Sequence, residues 1–312
     1  MPRRSVPVTE QENPAFSALD TYSLSKILKL INREDRKVPL AVAKVIPQIA
    51  GAAELIVPAL ASGGRLVYLG SGTSGRLGVL DAAECIPTFG TDQVTGVLAG
   101  SQRAMFRPVE GAEDDPRLAI RDLQRIKLVR RDALLGISAS GRTPYTLEGI
   151  EYARRLGCPT IALTSNPDAP MNRRADVAIV PVVGPEVIAG STRMKAGTAQ
   201  KLVLNMLSTA CMVRLGRVFS NWMINVQLTN SKLRHRAERI LREATGATPR
   251  HAARALDAAA GKLPVALLIL WTKSSPAQAR AMLDKGPGIA SVLRQAQAKW
   301  QETGQTAKYR GL

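Results

Sequence analysis

The stretch from Arg65 to Cys85 limits the possible fold more than any other part of this chain. A short apolar run, Leu66–Leu69, leads into the loop Gly70–Gly75 and then into a helical pattern that carries Glu84. A strand, a Gly/Ser/Thr loop and a helix in this order can hold an anion, because glycines allow close backbone approach and the helix start adds partial positive charge. The loop hydroxyls that supply further donors belong to Ser71, Thr73 and Ser74. We therefore expect an anion-binding loop here.

A second segment repeats this arrangement. The apolar run Ala133–Ile137 is followed by the polar turn Ser138–Thr143 and by helical spacing over Thr146–Leu156. Both loops contain the tripeptide Ser-Gly-Arg. Ligands of open α/β sheets bind where the strands end, so the two loops are predicted to share one crevice.

The first loop also matches a dinucleotide fingerprint. Gly70, Gly72 and Gly75 fit the pattern G-x-G-x-x-G. That interpretation requires a carboxylate after the next strand to bind a ribose. The next predicted strand, Val94–Ala99, is followed by Gly100-Ser101-Gln102 without one. The hydroxyl-rich loop therefore favours a sugar phosphate over a nucleotide.

The fold class follows from the alternation of short apolar runs with helical segments. It predicts a parallel sheet of about five strands with helices on both faces, in an α/β fold. The predicted strands are Leu66–Leu69, Val94–Ala99, Leu134–Ile137, Thr160–Thr164 and Val177–Val182.

Helical patterns lie on both sides of this region. Ser23–Asn32 has helical spacing with Leu24 and Leu28 on its apolar face, and Val38–Leu60 predicts one or two helices broken near Pro47 or Pro58. The predicted C-terminal helices are Arg236–Ala244, Pro249–Ala260, Pro264–Trp271, Pro276–Asp284 and Gly288–Ala298. Val218–Thr229 is ambiguous, and the ends of the chain look loose. We expect an N-terminal arm with helices over residues 1–55, a sheet domain over 56–219 and a helical region over 220–312.

Composition limits the partners. The 312 residues carry a formal charge of +18, but arginine is spread along the chain and aromatic residues are few, so a solvated basic surface is favoured over a nucleic-acid-binding surface. The three separated cysteines and the absence of a visible signal peptide predict a reduced, cytoplasmic protein. The longest apolar run, Leu263–Trp271, is too short to cross a membrane.

Carboxylates near the loops are the candidate catalytic groups. The helical pattern places Glu84 about two turns after the first loop. The acidic cluster Glu110–Asp115 follows the second predicted strand. Breaking an unactivated C–O bond requires one acid to protonate the leaving oxygen and one base to take a proton. From spacing alone, capping of a helix that starts near Pro116 is favoured over a catalytic role for this cluster.

A third polar segment suggests another anion-binding helix terminus. Ser191 and Thr192 stand at the start of a long predicted helix, with Arg193 and Lys195 close behind. Capping by Ser191 is the alternative and is compatible with a ligand role.

Together these motifs closely resemble the N-acetylmuramic acid 6-phosphate etherases, bacterial lyases of the sugar isomerase (SIS) domain group. The resemblance covers nearly the whole chain to about residue 293. Its one departure is Ile86, where the family usually has proline. The segments that carry it are Thr9, Glu10, Asn13, Ile31–Asp35, Gly70–Pro87, Val109–Asp114, Gly136–Tyr145 and Glu186–Thr209.

The resemblance implies a SIS-type doubly wound sheet and cleavage of the D-lactyl ether of the 6-phosphorylated sugar, in peptidoglycan recycling. It implies that Glu84 protonates the departing oxygen and that Glu113 is the second catalytic carboxylate. No metal or organic cofactor is expected, and the family forms homodimers, so an active site shared between subunits is expected. The implied phosphate-binding residues are Ser138, Ser140 and Thr143, with Ser71, Thr73 and Ser74 lining the sugar.

Two other functions remain open. Glucokinase regulatory protein shares this domain plan and senses phosphosugars without converting them, which predicts no need for Glu84 and Glu113 together. An aldose–ketose isomerase would use a carboxylate base but no acid directed at the C3 substituent. SIS-type transcriptional regulators carry an N-terminal helix-turn-helix, and no convincing recognition helix precedes the first strand.

Overall fold

A five-stranded parallel sheet forms the centre of the first part of the molecule. The computed structural model describes residues 6–226, 228, 231–286 and 288–302. The strands run in the order β2-β1-β3-β4-β5, and every neighbouring pair is parallel. All five predicted strands are confirmed. They are β1 (Leu66–Gly70), β2 (Val94–Leu98), β3 (Ala133–Ile137), β4 (Thr160–Leu163) and β5 (Val177–Ile179).

Helices cover both faces of the sheet, as predicted. Every residue of β1 and β3 is buried, which is the pattern of strands with both faces covered. On one face, Val67 and Leu69 belong to an apolar cluster with residues of α6 (Pro116–Arg125) and α7 (Pro144–Arg155). On the other face α4 (Gly72–Phe89) packs against β1, and a Cβ atom added at Gly78 would lie 2.9 Å from the Tyr68 Cβ.

The N-terminal region forms three short 3-10 turns followed by three helices. The turns are Val8–Glu10, Pro14–Phe16 and Leu19–Thr21, and the helices are α1 (Leu24–Asp35), α2 (Lys37–Ala43) and α3 (Ile46–Ala61). Ser23 caps α1 through a hydrogen bond that its side chain accepts from Lys26 N. The break predicted near Pro47 is confirmed because this proline lies in the first turn of α3, whereas Pro58 lies inside α3 and does not end it.

The apolar face predicted for α1 is only partly covered. Leu24 and Leu28 are 73% and 58% exposed, although their spacing is that of a core-facing stripe. Leu40 in α2 and Ile46 in α3 are similarly exposed, at 66% and 51%. These helices therefore present apolar side chains that the described part of the chain does not bury.

The described residues divide into two compact units. The first comprises residues up to Glu84 together with Asp92–Cys211, and the second comprises Cys85–Thr91 and residues from Met212 onwards. The first unit also contains α5 (Arg103–Phe106) and most of α8 (Lys195–Arg214).

The second unit is a small helical bundle preceded by a hairpin. The ambiguous segment forms an antiparallel pair, β6 (Val218–Phe219) and β7 (Trp222–Met223); its residues Gln227 and Thr229 lie outside the described part, as do residues 303–312. The five predicted helices are confirmed within a few residues. They are α9 (Ser231–Thr245), α10 (Pro249–Ala258), α11 (Leu263–Thr272), α12 (Pro276–Lys285) and α13 (Ile289–Glu302). No single described helix is long and apolar enough to cross a bilayer.

Candidate active site

The two Ser-Gly-Arg loops lie side by side at the carboxyl edge of the sheet. Strands β1 and β3 are neighbours, and Gly70 at the end of β1 stands opposite Ile137 at the end of β3. Ser71 and Ser138 therefore leave adjacent strands at the same level. The structure brings together the two hydroxyl-rich segments that the sequence placed on one edge of the sheet.

The first loop is very short because α4 begins at Gly72. Thr73 and Ser74 consequently lie in the first helical turn, where backbone N–H groups and the helix dipole favour an anion. Gly70 and Gly75 allow this close approach, since a Cβ atom on Gly75 would lie 2.5 Å from the Gly70 carbonyl oxygen. Any larger side chain at Gly75 would push the helix start away from the strand end.

Glu113 lies between the two loops. Its carboxylate Oε2 accepts a hydrogen bond from Ser71 Oγ at 3.1 Å, and its carbonyl oxygen accepts one from Tyr145 N at the start of α7 at 3.0 Å. The side chain is otherwise exposed. Asp115, two residues further on, caps α6 by accepting from Arg117 N at 2.9 Å. Within the acidic cluster, Asp115 therefore caps the helix, while Glu113 contacts the first loop and leaves the cap to Asp115.

The second loop is a non-helical turn in which three hydroxyl groups converge. Ser138 Oγ lies 2.9 Å from Thr143 Oγ1 and 3.3 Å from Ser140 Oγ. Ser138 Oγ also accepts from Gly141 N at 3.1 Å. Gly141 has a φ of +62°, and an added Cβ there would collide with Ala169. These side chains form a compact cluster of donors and acceptors suited to a tetrahedral oxyanion.

Glu84 is on a different part of the unit. It lies 12 residues after the first residue of α4, which at 1.5 Å per residue is about 18 Å along the helix axis. Glu84 therefore lies further along the helix from the first loop than the sequence pattern indicated, because α4 already begins at Gly72. The catalytic role of Glu84 stays a prediction.

Glu84 lines a small pocket that has both apolar and polar walls. Its volume is about 180 Å³, and it is lined by residues of α4 and α8 including Asp81, Lys201 and Asn205. Asp81 accepts hydrogen bonds from Tyr68 Oη at 2.9 Å and from Ser208 Oγ at 3.3 Å. Burial raises the pKa of the Asp81 carboxyl, and these two hydrogen bonds act in the opposite direction. The network joins β1, α4 and α8 next to Glu84 and gives it a rigid support.

The third polar segment does not form an open anion site. Helix α8 begins at Lys195 rather than at Ser191, and its first N–H groups are already paired with a carboxylate. Glu186 accepts from Lys195 N at 3.0 Å and from Ala196 N at 2.9 Å. Burial raises the pKa of Glu186 while these N–H groups lower it. The Ser191 backbone N donates to Ile188 O at 2.9 Å in a turn before the helix.

Lys195 is also unavailable to a ligand in this structure. Its ammonium group is 2.8 Å from a Glu34 carboxylate oxygen, and the two side chains are 1% and 3% exposed. Lys37 approaches the other Glu34 oxygen at 2.6 Å. Burial disfavours the charge of Glu34, but the hydrogen bonds from Lys195 and Lys37 outweigh it and lower its pKa. Lys195 thus joins α1 to α8, and the prediction that it binds substrate stays a prediction.

One further polar side chain at this edge was not predicted from the sequence. Asn166 follows β4, is 4% exposed, and donates to the carbonyl oxygens of Ala139 and Ser140 in the second loop. The signal was present in Thr164-Ser165-Asn166, a polar run after a strand like those of the two loops. It lacks glycine and was therefore not identified as a ligand loop.

Comparison with known proteins gives concordant results. The family model of the SIS domain matches residues 116–210, and that of the glucokinase regulatory protein N-terminal SIS domain matches residues 48–154. A phosphoheptose isomerase structure from Neisseria gonorrhoeae is 19% identical with a TM-score of 0.49, covering 61% of this chain and 98% of that one.

Curated relatives extend over nearly the whole chain. An N-acetylmuramic acid 6-phosphate etherase from Edwardsiella ictaluri is 51% identical over 284 residues, which is 90% of this chain and 95% of the relative. A protein of the same name from Yersinia pestis is 53% identical over 283 residues, which is 90% of this chain and 96% of the relative. With the hydroxyl loops and Glu113 placed as described, this chain belongs to the N-acetylmuramic acid 6-phosphate etherase family of SIS-domain proteins.

Proposed function

We propose that this protein cleaves the D-lactyl ether at C3 of N-acetylmuramic acid 6-phosphate and releases N-acetylglucosamine 6-phosphate and D-lactate. The observation that carries the proposal is the 51–53% identity to relatives of that name along nearly their entire length. The proposal places the reaction in the cytoplasm, in the recycling of peptidoglycan amino sugars. It assigns sugar-phosphate binding to residues 56–219, with residues 1–55 as the N-terminal arm and helices and 220–312 as the helical region.

The two loops divide the substrate between them. The hydroxyl cluster of Ser138, Ser140 and Thr143 binds the phosphate, because the Ser138 hydroxyl lies within hydrogen-bond distance of the other two and all three can turn toward phosphate oxygens. Ser71, Thr73 and Ser74 line the sugar. Binding of the remote phosphate holds C2 and C3 in place for reaction, so its binding energy contributes to catalysis.

The reaction is an elimination followed by an addition. Opening of the sugar ring gives an aldehyde at C1, which acidifies the proton on C2. A base removes that proton, the electron pair forms a C2–C3 double bond, and the C3–O bond breaks as an acid protonates the departing lactate oxygen. Water then adds at C3 and a proton returns to C2. Glu113 serves as the base, and its hydrogen bond from Ser71 orients the carboxylate.

Glu84 serves as the acid, and a second copy of the chain supplies it. Within one chain α4 separates Glu84 from the Glu113 carboxylate. Leu80 and Ile86, which flank Glu84, are 45% and 44% exposed, and exposed apolar side chains around a polar group are typical of a protein interface. A symmetric homodimer with two shared sites satisfies both observations.

The first experiment measures D-lactate release from N-acetylmuramic acid 6-phosphate by the purified protein. Release well above a no-enzyme blank supports the proposal. Tight binding of the phosphosugar without lactate release contradicts it and supports the second candidate, a non-catalytic phosphosugar sensor. That alternative has a specific basis in the match to the glucokinase regulatory protein model.

A complementation experiment tests the shared site. Glu84→Gln and Glu113→Gln chains carrying different affinity tags are co-expressed and the mixed dimers are purified. Each mixed dimer contains one intact and one doubly defective site, so the purified mixed dimers are expected to regain about half of wild-type activity. The control pairs the double variant with Glu84→Gln, which forms no intact site. No recovery in mixed dimers would show that both glutamates act from the same chain.

A further inference from the structure

The buried side-chain amide of Asn166 supports the second loop through hydrogen bonds. Asn166 Nδ2 donates to Ala139 O and Ser140 O, both at 3.3 Å. These carbonyl groups belong to the peptides that end in Ser140 N and Gly141 N. The Gly141 N–H in turn donates to Ser138 Oγ at 3.1 Å, and Ser138 Oγ contacts the other two hydroxyls of the loop. The orientation of the Ser138 hydroxyl therefore depends on a peptide plane that Asn166 helps to fix.

Asn166 is itself held by the N-terminal arm. Thr9 N donates to Asn166 Oδ1 at 3.2 Å, and Asn166 Nδ2 donates to Thr9 Oγ1 at 3.0 Å. The two residues are 157 positions apart in the chain, and both are buried, at 3% and 4% exposure. Thr9 satisfies the acceptor of this amide and fixes which way the amide faces. If the Asn166 side chain rotated, its buried groups would lose partners at a cost of about 1–3 kcal/mol.

The arm has little other reason to bury a polar residue. Thr9 is the one buried residue of the 3-10 turn Val8–Glu10. A turn of three residues has little stability of its own, and an apolar side chain would anchor it to a core more simply. Its buried contact is instead a paired set of hydrogen bonds to the residue that supports the loop.

We propose that Thr9 and Asn166 are positioning residues that hold the Ser138–Thr143 loop in its phosphate-binding conformation, so that the N-terminal arm is part of the sugar-phosphate site. The inference rests on the proposed function, in which this loop binds the substrate phosphate. Neither residue contacts the reacting atoms. They act by keeping three hydroxyl groups arranged before the ligand arrives, which reduces the entropy cost of binding.

The test compares Thr9→Val, Thr9→Ser and the matched control Thr21→Val. Thr21 lies in the same arm, and its hydroxyl donates to Ala18 O at 2.8 Å within its own turn. Each variant is measured for KM and kcat of lactate release, for the Kd of N-acetylglucosamine 6-phosphate by calorimetry, and for Tm. We expect Thr9→Val to raise KM and Kd about three- to tenfold with kcat within about twofold, because the hydrogen bond that Asn166 Nδ2 donates to Thr9 Oγ1 is lost while the one from the Thr9 backbone N remains. Thr9→Ser and Thr21→Val retain wild-type KM and Kd.

Each result separates the two proposals. Unchanged KM and Kd in Thr9→Val, or a lower Tm and active fraction without a change in Kd, would overturn the positioning role and leave the proposed function intact. Absence of lactate release by the wild type would overturn the proposed function, while the Kd comparison would still test the arm. If Thr9→Val does not fold, Thr9→Ala replaces it and is expected to raise Kd in the same range.

Discussion

The same tripeptide, Ser-Gly-Arg, adopts two conformations in the two loops. Ser74-Gly75-Arg76 lies inside α4, and Arg76 Nε donates to the carbonyl oxygen of Ala104 at 2.9 Å. Ser140-Gly141-Arg142 forms an open turn in which Gly141 has positive φ and Arg142 is exposed. The difference follows from the neighbouring residues. Pro144 sets the start of α7 after the second tripeptide, whereas α4 starts before the first one.

This difference shows how one motif can serve two parts of a reaction. In the first loop, the hydroxyl of Ser71 pairs with the carboxylate of Glu113. In the second loop, the hydroxyls pair with one another and with backbone N–H groups. We infer that the first loop belongs to the chemical step and the second to phosphate binding. Substitutions in the first are then expected to lower kcat, and substitutions in the second are expected to raise KM.

The largest expected effect is that of Glu113→Gln. The amide retains an acceptor for Ser71 but cannot take a proton, so kcat for lactate release is expected to fall about 10³-fold with KM within a few-fold. The measurement is steady-state kinetics of D-lactate release. Asp114→Asn, at an exposed neighbouring position, is the control. Retention of most activity by Glu113→Gln would remove this residue from the chemical step.

Glu34→Gln tests whether the ion pair between Glu34 and Lys195 can be broken without affecting either loop. It leaves buried Lys195 without a charged partner, so the free energy of unfolding is expected to fall by about 3–5 kcal/mol, measured by urea denaturation. Glu148→Gln, which breaks an exposed pair with Arg155, is the control and is expected to cost less than about 1 kcal/mol. Both variants keep wild-type KM when assayed folded. A large change in KM would assign Lys195 or Glu34 to the substrate after all.

The stability difference between wild type and Glu34→Gln also depends on pH in a defined direction. The pKa of Glu34 in the folded protein is lower than its ordinary value of 4.5. Its contribution is therefore fully present above pH 4.5 and is lost as pH falls through the folded-state pKa. The free energies of unfolding of wild type and Glu34→Gln, measured at several pH values, are expected to converge below that pKa. A difference that does not change with pH would contradict the ion pair.

Ser138→Ala acts on the second loop. Loss of one protein hydroxyl that hydrogen-bonds to the charged phosphate is expected to raise KM about 10- to 100-fold, with kcat changing much less. The control is Ser62→Ala, which removes an exposed hydroxyl at the end of α3 that donates to Ala59 O. A fall in kcat with constant KM would reverse the roles given to the two loops.

Ser71→Ala is expected to have the smallest effect. It removes the hydrogen bond that orients Glu113, so kcat is expected to fall about tenfold or less while KM stays near the wild-type value. Kinetics at saturating substrate measure it. Combined with Glu113→Gln, the second substitution should add almost nothing, because both act through one carboxylate. Full additivity would indicate that Ser71 contacts the substrate independently.

Much of this architecture was predictable from local patterns. The five strands and the break at Pro47 follow from apolar periodicity and proline chemistry, which are local properties. Contacts between distant residues were not predictable. The burial of Lys195 depends on Glu34, 161 positions away, and the support of the second loop depends on Thr9. The early start of α4 was not predictable because Gly72 and Gly75, residues that usually indicate irregular backbone, lie within the helix.

The close contact between Gly70 and Gly75 fixes the direction in which α4 runs from the end of β1. The helix has 18 residues, and its start is fixed against the end of β1 while Glu84 lies near its far end. A methyl group at position 75 would tilt the helix. Since Glu84 is about 18 Å along the axis, a tilt of about 5° would displace it by about 1.5 Å. Misplacement of this size can slow a reaction about 100-fold. A single small residue remote from Glu84 thus governs the alignment of an acid that the neighbouring copy is proposed to use.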